Sequence, residues 1–343
     1  MQRCLFLQHS RAASLLDMVS TGILETSDIV TLPDIQQARE RIRGVATRTP
    51  LYHFPSCDGL HLKLESLQPI GSFKLRGAYN KIASLSDAER ARGVITYSSG
   101  NHAQGVSYAA QALGVKATVV MPRTAPKVKI ARTESLGAEI VLVGPGSLER
   151  QRRAEQLAAE RGLCVVPPFN DERIIAGQGT IGLEILEDLA DVELVLAPIG
   201  GGGLVSGISA AIKLSGSKAK VVGVEPALAA DAQASFRAGR LVELPAEQTT
   251  RTLADGLRTQ SVGPIPFQHI RKFVDDVVTV SEDEIREAMR RLAWTGHVVA
   301  EPSGAVTAAA YWFHQSELPR ARRTAAVVSG GNVEPDLLRQ VLG

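Results

Sequence analysis

From about Leu32 onward, short runs of β-branched and aliphatic residues alternate with longer stretches whose apolar positions recur every three or four residues. The first pattern predicts strands buried on both faces, and the second predicts helices that cover them. Strands are expected at Gly93 to Tyr97, Ala117 to Met121, Glu139 to Val143, Val192 to Ala197, Val221 to Val224 and Ala325 to Val328. Two helix starts carry a capping box, in which a serine hydroxyl accepts a free backbone N–H and a glutamate three residues on answers it: Ser86 with Glu89 and Ser281 with Glu284. Strand and helix in alternation describe an α/β protein built on mostly parallel sheets.

The 343 residues, 44% of them hydrophobic, suffice for more than one domain. No repeat, low-complexity tract or proline-rich linker divides the chain, so a second domain is expected within the first. The division expected is a small mobile domain at 93–170 inserted into a large one at 31–92 and 171–343, with a loosely ordered extension at 1–30. The double proline Pro167-Pro168 marks the return to the large domain. A net charge of +2 with no long basic tract argues against nucleic acid or a membrane surface and for a small-molecule partner. Cys4, Cys57 and Cys164 form no C-x-x-C pair, which predicts neither a disulfide framework nor a thiolate zinc site and points to the cytoplasm. The uncharged run between Glu193 and Lys213 contains Pro198 and four consecutive glycines, so it reads as strand, loop and helix rather than a membrane span. The apolar patch from Cys4 to Leu7 is too short for a signal peptide, and Met18 is an alternative start.

Four glycine- or serine-rich joints carry the candidate chemistry. In Leu196 to Leu204, "LAPIGGGGL", a strand ends in glycines that open a helix, where free N–H groups and a positive dipole end suit a phosphate. A merely flexible turn is the weaker reading, because ordering four glycines costs so much entropy. A dinucleotide fold is the rival, with Glu225 at the distance of a ribose contact, but G-x-G-x-x-G read from Gly200 or Gly201 ends on Val205 or Ser206. Tyr97 to Gly105, "YSSGNHAQG", groups hydroxyls, an amide and a helix start suited to a carboxylate, although Asn101 and His102 taken singly also have ordinary structural roles. "SGGN", Ser329 to Asn332, follows a buried strand. In Pro69 to Gly77, "PIGSFKLRG", Ser72 is expected to cap a helix containing Lys74, whose amine is flanked by apolar groups. Desolvation there disfavours the ammonium and leaves a nucleophile for carbonyl carbon, the alternative being a surface lysine lying on Phe73. Together these are the parts needed to hold pyridoxal 5′-phosphate and seat an amino acid on it.

"GSFKLRGA", "SSGNHAQG", "AGQGT" (Ala176 to Thr180), "GGGGL", "EPSGA" (Glu301 to Ala305) and "SGGN", in this order, resemble the serine/threonine dehydratase and serine racemase group of fold type II pyridoxal-phosphate enzymes. The resemblance runs from about Leu32 to Asn332. It implies two domains, each an open, mostly parallel twisted sheet flanked by helices, and a homodimer. It also implies that Lys74 is the Schiff-base lysine and the base for the Cα proton, that Phe73 packs near the cofactor ring and that Asn101 meets the ring hydroxyl. Gly200, Gly201, Gly202 and Gly203 with the Leu204 amide would hold the phosphate, and Ser329 would meet the pyridine nitrogen, a neutral partner that favours elimination. Ser98, Ser99, Asn101 and His102 would bind the substrate carboxylate, with Arg150 swinging onto bound substrate or lying on an exposed helix face. Glu225, Asp231 and the Ala229 carbonyl match a structural Mg²⁺ or Ca²⁺ site.

The reaction implied is β-elimination from L-threonine or L-serine, with the cofactor phosphate as proton donor to the leaving hydroxyl, and hydrolysis to a 2-oxo acid and ammonia. Serine racemisation, with Ser99 protonating the opposite face of Cα, is the alternative, as is selectivity for 3-hydroxyaspartate or 3-phenylserine. A nicotinamide-dependent oxidoreductase or a non-catalytic binding protein is the distant one. Only "VEPDLLRQVLG" follows "SGGN", so the regulatory domain of biosynthetic threonine dehydratases, with its feedback inhibition by isoleucine, is not expected.

Overall fold

A computed structural model describes residues 29–343 apart from 56, 99, 126 and 145. The extension expected at 1–30 lies, through residue 28, outside the described residues, and so does Ser99. Ten strands are present among the described residues: β1 (Leu51–His53), β2 (Leu60–Leu64), β3 (Val94–Tyr97), β4 (Ala117–Pro122), β5 (Glu139–Val143), β6 (Cys164–Val165), β7 (Leu194–Pro198), β8 (Lys220–Pro226), β9 (Asp276–Val280) and β10 (Thr324–Val328). They form a six-stranded sheet in the order β1-β2-β10-β7-β8-β9 and a four-stranded sheet in the order β5-β4-β3-β6. All pairings are parallel except β1 with β2. The six strands expected from periodicity are there, shifted by no more than two residues at either end. β1, β2, β6 and β9 escaped it because they are very short or carry histidine, lysine or aspartate within the run.

Alternation along each strand divides its side chains between two helical layers. In β10, Ala326 and Val328 join Leu196, Val222 and Val278 under the helices Glu282–Trp294 and Pro302–Phe313. Ala325 and Val327 join Val195, Val221 and Val277 under Glu172–Asp188, Gly203–Leu214 and Pro264–Phe273. In the smaller sheet, Val94, Val119 and Met121 pack on the helices Lys74–Ala83 and Asn101–Ala112, whereas Ile95 and Val120 pack on Ser147–Arg161. Both expected capping boxes are formed, and Thr31 with Asp34 makes a third.

The helix Glu172–Asp188 is the spine between the layers. A Cβ on Gly177 would lie 2.6 Å from the Gly77 Cα, and one on Gly207 would lie 2.5 Å from the Gly179 amide nitrogen. The three helices therefore cross backbone to backbone, which is the physical use of "AGQGT". Beside this crossing the interior holds a charged cluster. Arg76 Nε and Nη2 each donate to Glu65 at 2.8 Å, and its Nη1 and Nη2 donate to Glu184 at 2.6 and 2.8 Å. Lys63 Nζ meets Glu184 at 2.6 Å and donates to the Thr49 carbonyl at 2.6 Å.

Candidate active site

The four joints converge because each follows the C-terminal end of a parallel strand: β2 leads to Lys74, β3 to Ser98, β7 to Gly200 and β10 to Ser329. Lys74 is the first residue of its helix. Ser72 does not cap that helix, contrary to the local sequence signal; it forms an antiparallel bridge with Gly330, while the Phe73 N–H donates to the Ser329 carbonyl at 3.1 Å. Pairing with the "SGGN" turn thus overrides the cap. Lys74 Nζ lies 5.1 Å from the Phe73 ring centroid and donates to the Pro168 carbonyl at 2.7 Å. The residue as a whole is half-buried, and burial around its nitrogen lowers its pKa from 10.5 to about 8. An amine with that pKa is about one-tenth neutral at pH 7.

The helix Asn101–Ala112 starts beside this lysine: a Cβ on Gly105 would lie 3.2 Å from the Lys74 carbonyl. His102 is 3% exposed, and its Nε2 lies 3.0 Å from the Val166 carbonyl, which can only accept, so Nε2 carries the proton. Burial, with the Lys74 charge second, lowers its pKa to about 3. The ring is neutral, and what this residue offers an anion is its backbone N–H at the helix start. Ser98 Oγ accepts from the Gly100 N–H at 3.3 Å. Asn101 Nδ2 donates to Glu301 Oε1 at 2.7 Å, and Asn101 Oδ1 accepts from Asn332 Nδ2 at 2.8 Å.

The glycine run opens the helix Gly203–Leu214 through Gly202, whose φ of 89° is a left-handed conformation that favours glycine. The amides of Gly203, Leu204 and Val205 precede the first helical acceptor and suit a phosphate. Phe169 packs directly on Gly201, where any side chain would collide with its ring, and on Gly203, where a Cβ would lie a tight 3.1 Å from its Cβ. Ser329, 4% exposed, donates its hydroxyl to the Ser303 carbonyl at 3.4 Å. Arg150 lies on Ser147–Arg161, the helix that packs on β3 and β4, and burial lowers its pKa.

Apart from these groups, Glu225 at the end of β8 accepts the Ala232 and Gln233 N–H groups at 3.0 and 2.8 Å. It is fully buried, as is Asp231, whose Oδ2 finds no hydrogen-bond partner among the described residues. Burial, and then the Asp231 charge, holds Glu225 well above the ordinary carboxylate range, and burial raises Asp231 to about 7. Ala229, also buried, lies between them in a short 3₁₀ turn. Among the described residues no group of three or more His, Cys, Asp or Glu side chains could hold a metal. A cation here would rest on two carboxylates, the Ala229 carbonyl and water; the unpartnered Asp231 oxygen and the uncompensated pair of carboxyls fit one.

Sequence reasoning missed the Pro168 carbonyl, Phe169, Glu301 and Asn332 as parts of the site. The first is a backbone group that any residue would supply. The others stood within quoted motifs or beside the double proline, but their contacts span up to 262 residues of sequence.

A family model described as pyridoxal-phosphate dependent enzyme matches residues 42–330. The chain is 44% identical over 319 residues to the L-threonine ammonia-lyase of Thermotoga maritima, covering 92% of this chain and 78% of the relative. Among solved structures, it is similar to the T.th. threonine deaminase, with a TM-score of 0.83 and 43% identity over 89% of this chain and 99% of that one. Maize serine racemase superposes with a TM-score of 0.87 and 35% identity, covering 91% and 96% of the two chains.

Proposed function

Since the chain belongs to the pyridoxal-phosphate dependent enzymes, we propose that it is an ammonia-lyase that converts a β-hydroxy-L-amino acid, L-threonine or L-serine, to a 2-oxo acid and ammonia. The observation that carries this reading is the enclosed Lys74 amine at the meeting of four strand ends. Bound there, pyridoxal phosphate supplies an electron-withdrawing ring that makes the Cα–H of an attached amino acid acidic. Lys74 carries the cofactor and, once released, takes the Cα proton at Nζ; its lowered pKa leaves enough free amine for both tasks. The amides from Gly203 onward would anchor the phosphate with the preceding glycines Gly200 to Gly202, Phe73 would pack by the ring, Asn101 Nδ2 would serve the ring hydroxyl and the Ser329 hydroxyl the ring nitrogen. Ser98, Ser99 and the first amides of Asn101–Ala112, that of His102 among them, would seat the substrate carboxylate, and Arg150 would close over substrate as 93–170 moves against the rest. The likeness to maize serine racemase supports a second reading, exchange of stereochemistry at Cα with Ser99 on the opposite face.

The test is 2-oxo acid release from threonine, serine, 3-hydroxyaspartate and 3-phenylserine, with chiral analysis of the serine recovered. Release from threonine and serine is expected, and inactivity on all four sinks the lyase. We further propose a homodimer in the cytoplasm; no helix among the described residues is long and apolar enough to cross a membrane.

We also propose that Glu225, Asp231 and the Ala229 carbonyl bind Mg²⁺ or Ca²⁺. Without a cation, the folded chain keeps a proton on Asp231 up to about pH 7 that the unfolded chain releases near 3.8. Stability then falls as pH rises through that window. A chelator-treated sample is expected to lose melting temperature between about pH 5 and pH 7.5, and millimolar Ca²⁺ to restore it at the higher pH while doing little at the lower. Asp231→Asn should remove the Ca²⁺ response and lessen the fall, leaving the part that comes from buried Glu225. A melting temperature indifferent to chelator and Ca²⁺ at the higher pH counts against the site.

A further inference from the structure

Asn101 is an amide, and an amide can face its surroundings in two ways; only one leaves an N–H for an oxygen of the cofactor ring. The structure contains a chain of hydrogen bonds whose ends have fixed polarity. At one end, Arg132 Nη1, which can only donate, reaches Asn332 Oδ1 at 3.1 Å. Asn332 Nδ2 donates to the Ile70 carbonyl at 2.8 Å, an acceptor only, so the Asn332 amide has one orientation. Its Nδ2 also donates to Asn101 Oδ1 at 2.8 Å, which turns Asn101 Nδ2 towards Glu301 Oε1 at 2.7 Å. One of the two Asn101 N–H bonds is thereby used, and the other remains.

Glu301 ends this chain and is built in rather than incidental. It is 4% exposed, its backbone N–H donates to the Gly330 carbonyl at 3.1 Å, and a Cβ at Gly330 would collide with its Oε1. "SGGN" therefore supplies both the space for the carboxyl and, through Asn332, the donor at the other side of Asn101. Burial, then the Asp255 charge, raises the Glu301 pKa to about 8, so it meets Asn101 largely as a neutral acid near pH 7.

We propose that Glu301 is a positioning residue that, together with Asn332, fixes the Asn101 amide so that one N–H faces the cofactor ring. This rests on the reading above that Asn101 contacts the ring hydroxyl. The test is titration of cofactor-stripped full-length chain with pyridoxal phosphate, following affinity and the position of the visible band. Glu301→Leu removes the acceptor at nearly constant volume, and is expected to raise the Kd about 10-fold and to displace the band, the loss of one well-placed hydrogen bond. Glu301→Gln keeps an acceptor oxygen and should stay within about threefold of wild type with the band unmoved. Asn332→Ala frees Asn101 from the other side and should displace the band as Glu301→Leu does. A purely structural role would lower the melting temperature of the stripped chain and leave the band where it is. The proposal is overturned if Glu301→Leu and Asn332→Ala keep the wild-type band and affinity, or if Glu301→Gln is as impaired as Glu301→Leu. Should Glu301→Leu fail to fold, Asn332→Ala decides alone: a displaced band supports the proposal and an unmoved band overturns it. A wild-type chain that binds no pyridoxal phosphate would overturn the functional reading itself, and this proposal with it.

Discussion

Lys74→Ala is expected to lower kcat by about 10⁴-fold or more, since one side chain is asked to carry the cofactor and to move the Cα proton. The visible band of bound cofactor should vanish with it. The same substitution should make the cofactor-free chain more stable, which separates a lost chemical group from a damaged fold. The folded pKa of Lys74 is about 8 against an ordinary 10.5, so the native state holds its proton less firmly than the unfolded chain. That is a cost of folding, fully present below about pH 8 and relieved as pH rises towards about 10.5. Removing the amine removes the cost. At pH 7 the cofactor-free Lys74→Ala chain should therefore unfold at higher denaturant than wild type, and the two should converge above about pH 10. A variant that loses activity together with stability at pH 7 would contradict the enclosure of this nitrogen. The same depression should show in cofactor capture, whose rate in the wild-type chain should rise with pH and level off near 8 rather than near 10.5.

Much of this site was legible because its parts are punctuated locally. Glycines between a strand and a helix, or serines before an asparagine, announce a strand end and a helix start whatever lies elsewhere in the fold. Lys74 was legible for the related reason that a charge between Phe73 and Leu75 conflicts with its neighbours. Ser72 shows the limit of such reasoning. Its local signal as a cap was sound, but its partner in the structure is Gly330, 258 positions away in "SGGN". Glu301 and Asn332 were beyond reach for the same reason: each belongs to a recognisable motif, but its task is defined by Asn101, in a different layer. One charge of the buried cluster did leave a trace. Glu184 stands among Ile181, Leu183, Ile185 and Leu186 in "TIGLEILEDL", where a hydrophobe is expected; Lys63 in "HLKLES" gives no such sign, because with His61 it takes the polar phase of a strand whose apolar phase is Leu60, Leu62 and Leu64. What the trace lacks is the pairing, because Lys63, Arg76 and Glu184 come from three separate elements, with Glu65 just past the end of β2.

That cluster yields the largest expected effect on stability. Arg76→Leu should destabilise the protein by about 3–5 kcal/mol, the range for removing one partner from a buried ion pair. Burial pushes the Glu65 carboxyl up, but the Arg76 guanidinium, bonded to it twice, more than offsets this and holds it below its ordinary 4.5. Its contribution in wild type is therefore present above about pH 4.5 and lost as pH falls through the lower folded value. Without Arg76 the direction reverses: a fully buried carboxyl that has lost its main counter-charge is pushed up, and its stability cost grows as pH rises. The difference between wild type and Arg76→Leu, read from urea unfolding midpoints, should thus be larger at about pH 8 than at about pH 5. Glu65→Gln placed on top of Arg76→Leu should recover part of the loss at the higher pH and little at the lower. Equal losses at both values would mean that an unpaired Glu65 is not what the substitution leaves behind. The consequence reaches the chemistry, because Arg76 stands two residues after Lys74 and ties the first turn of its helix to Glu65 on one side and to the helix Glu172–Asp188 through Glu184 on the other. With that tie cut, Lys74 Nζ loses its fixed approach to the Pro168 carbonyl, and folded Arg76→Leu should bind pyridoxal phosphate more weakly than wild type at every pH tested.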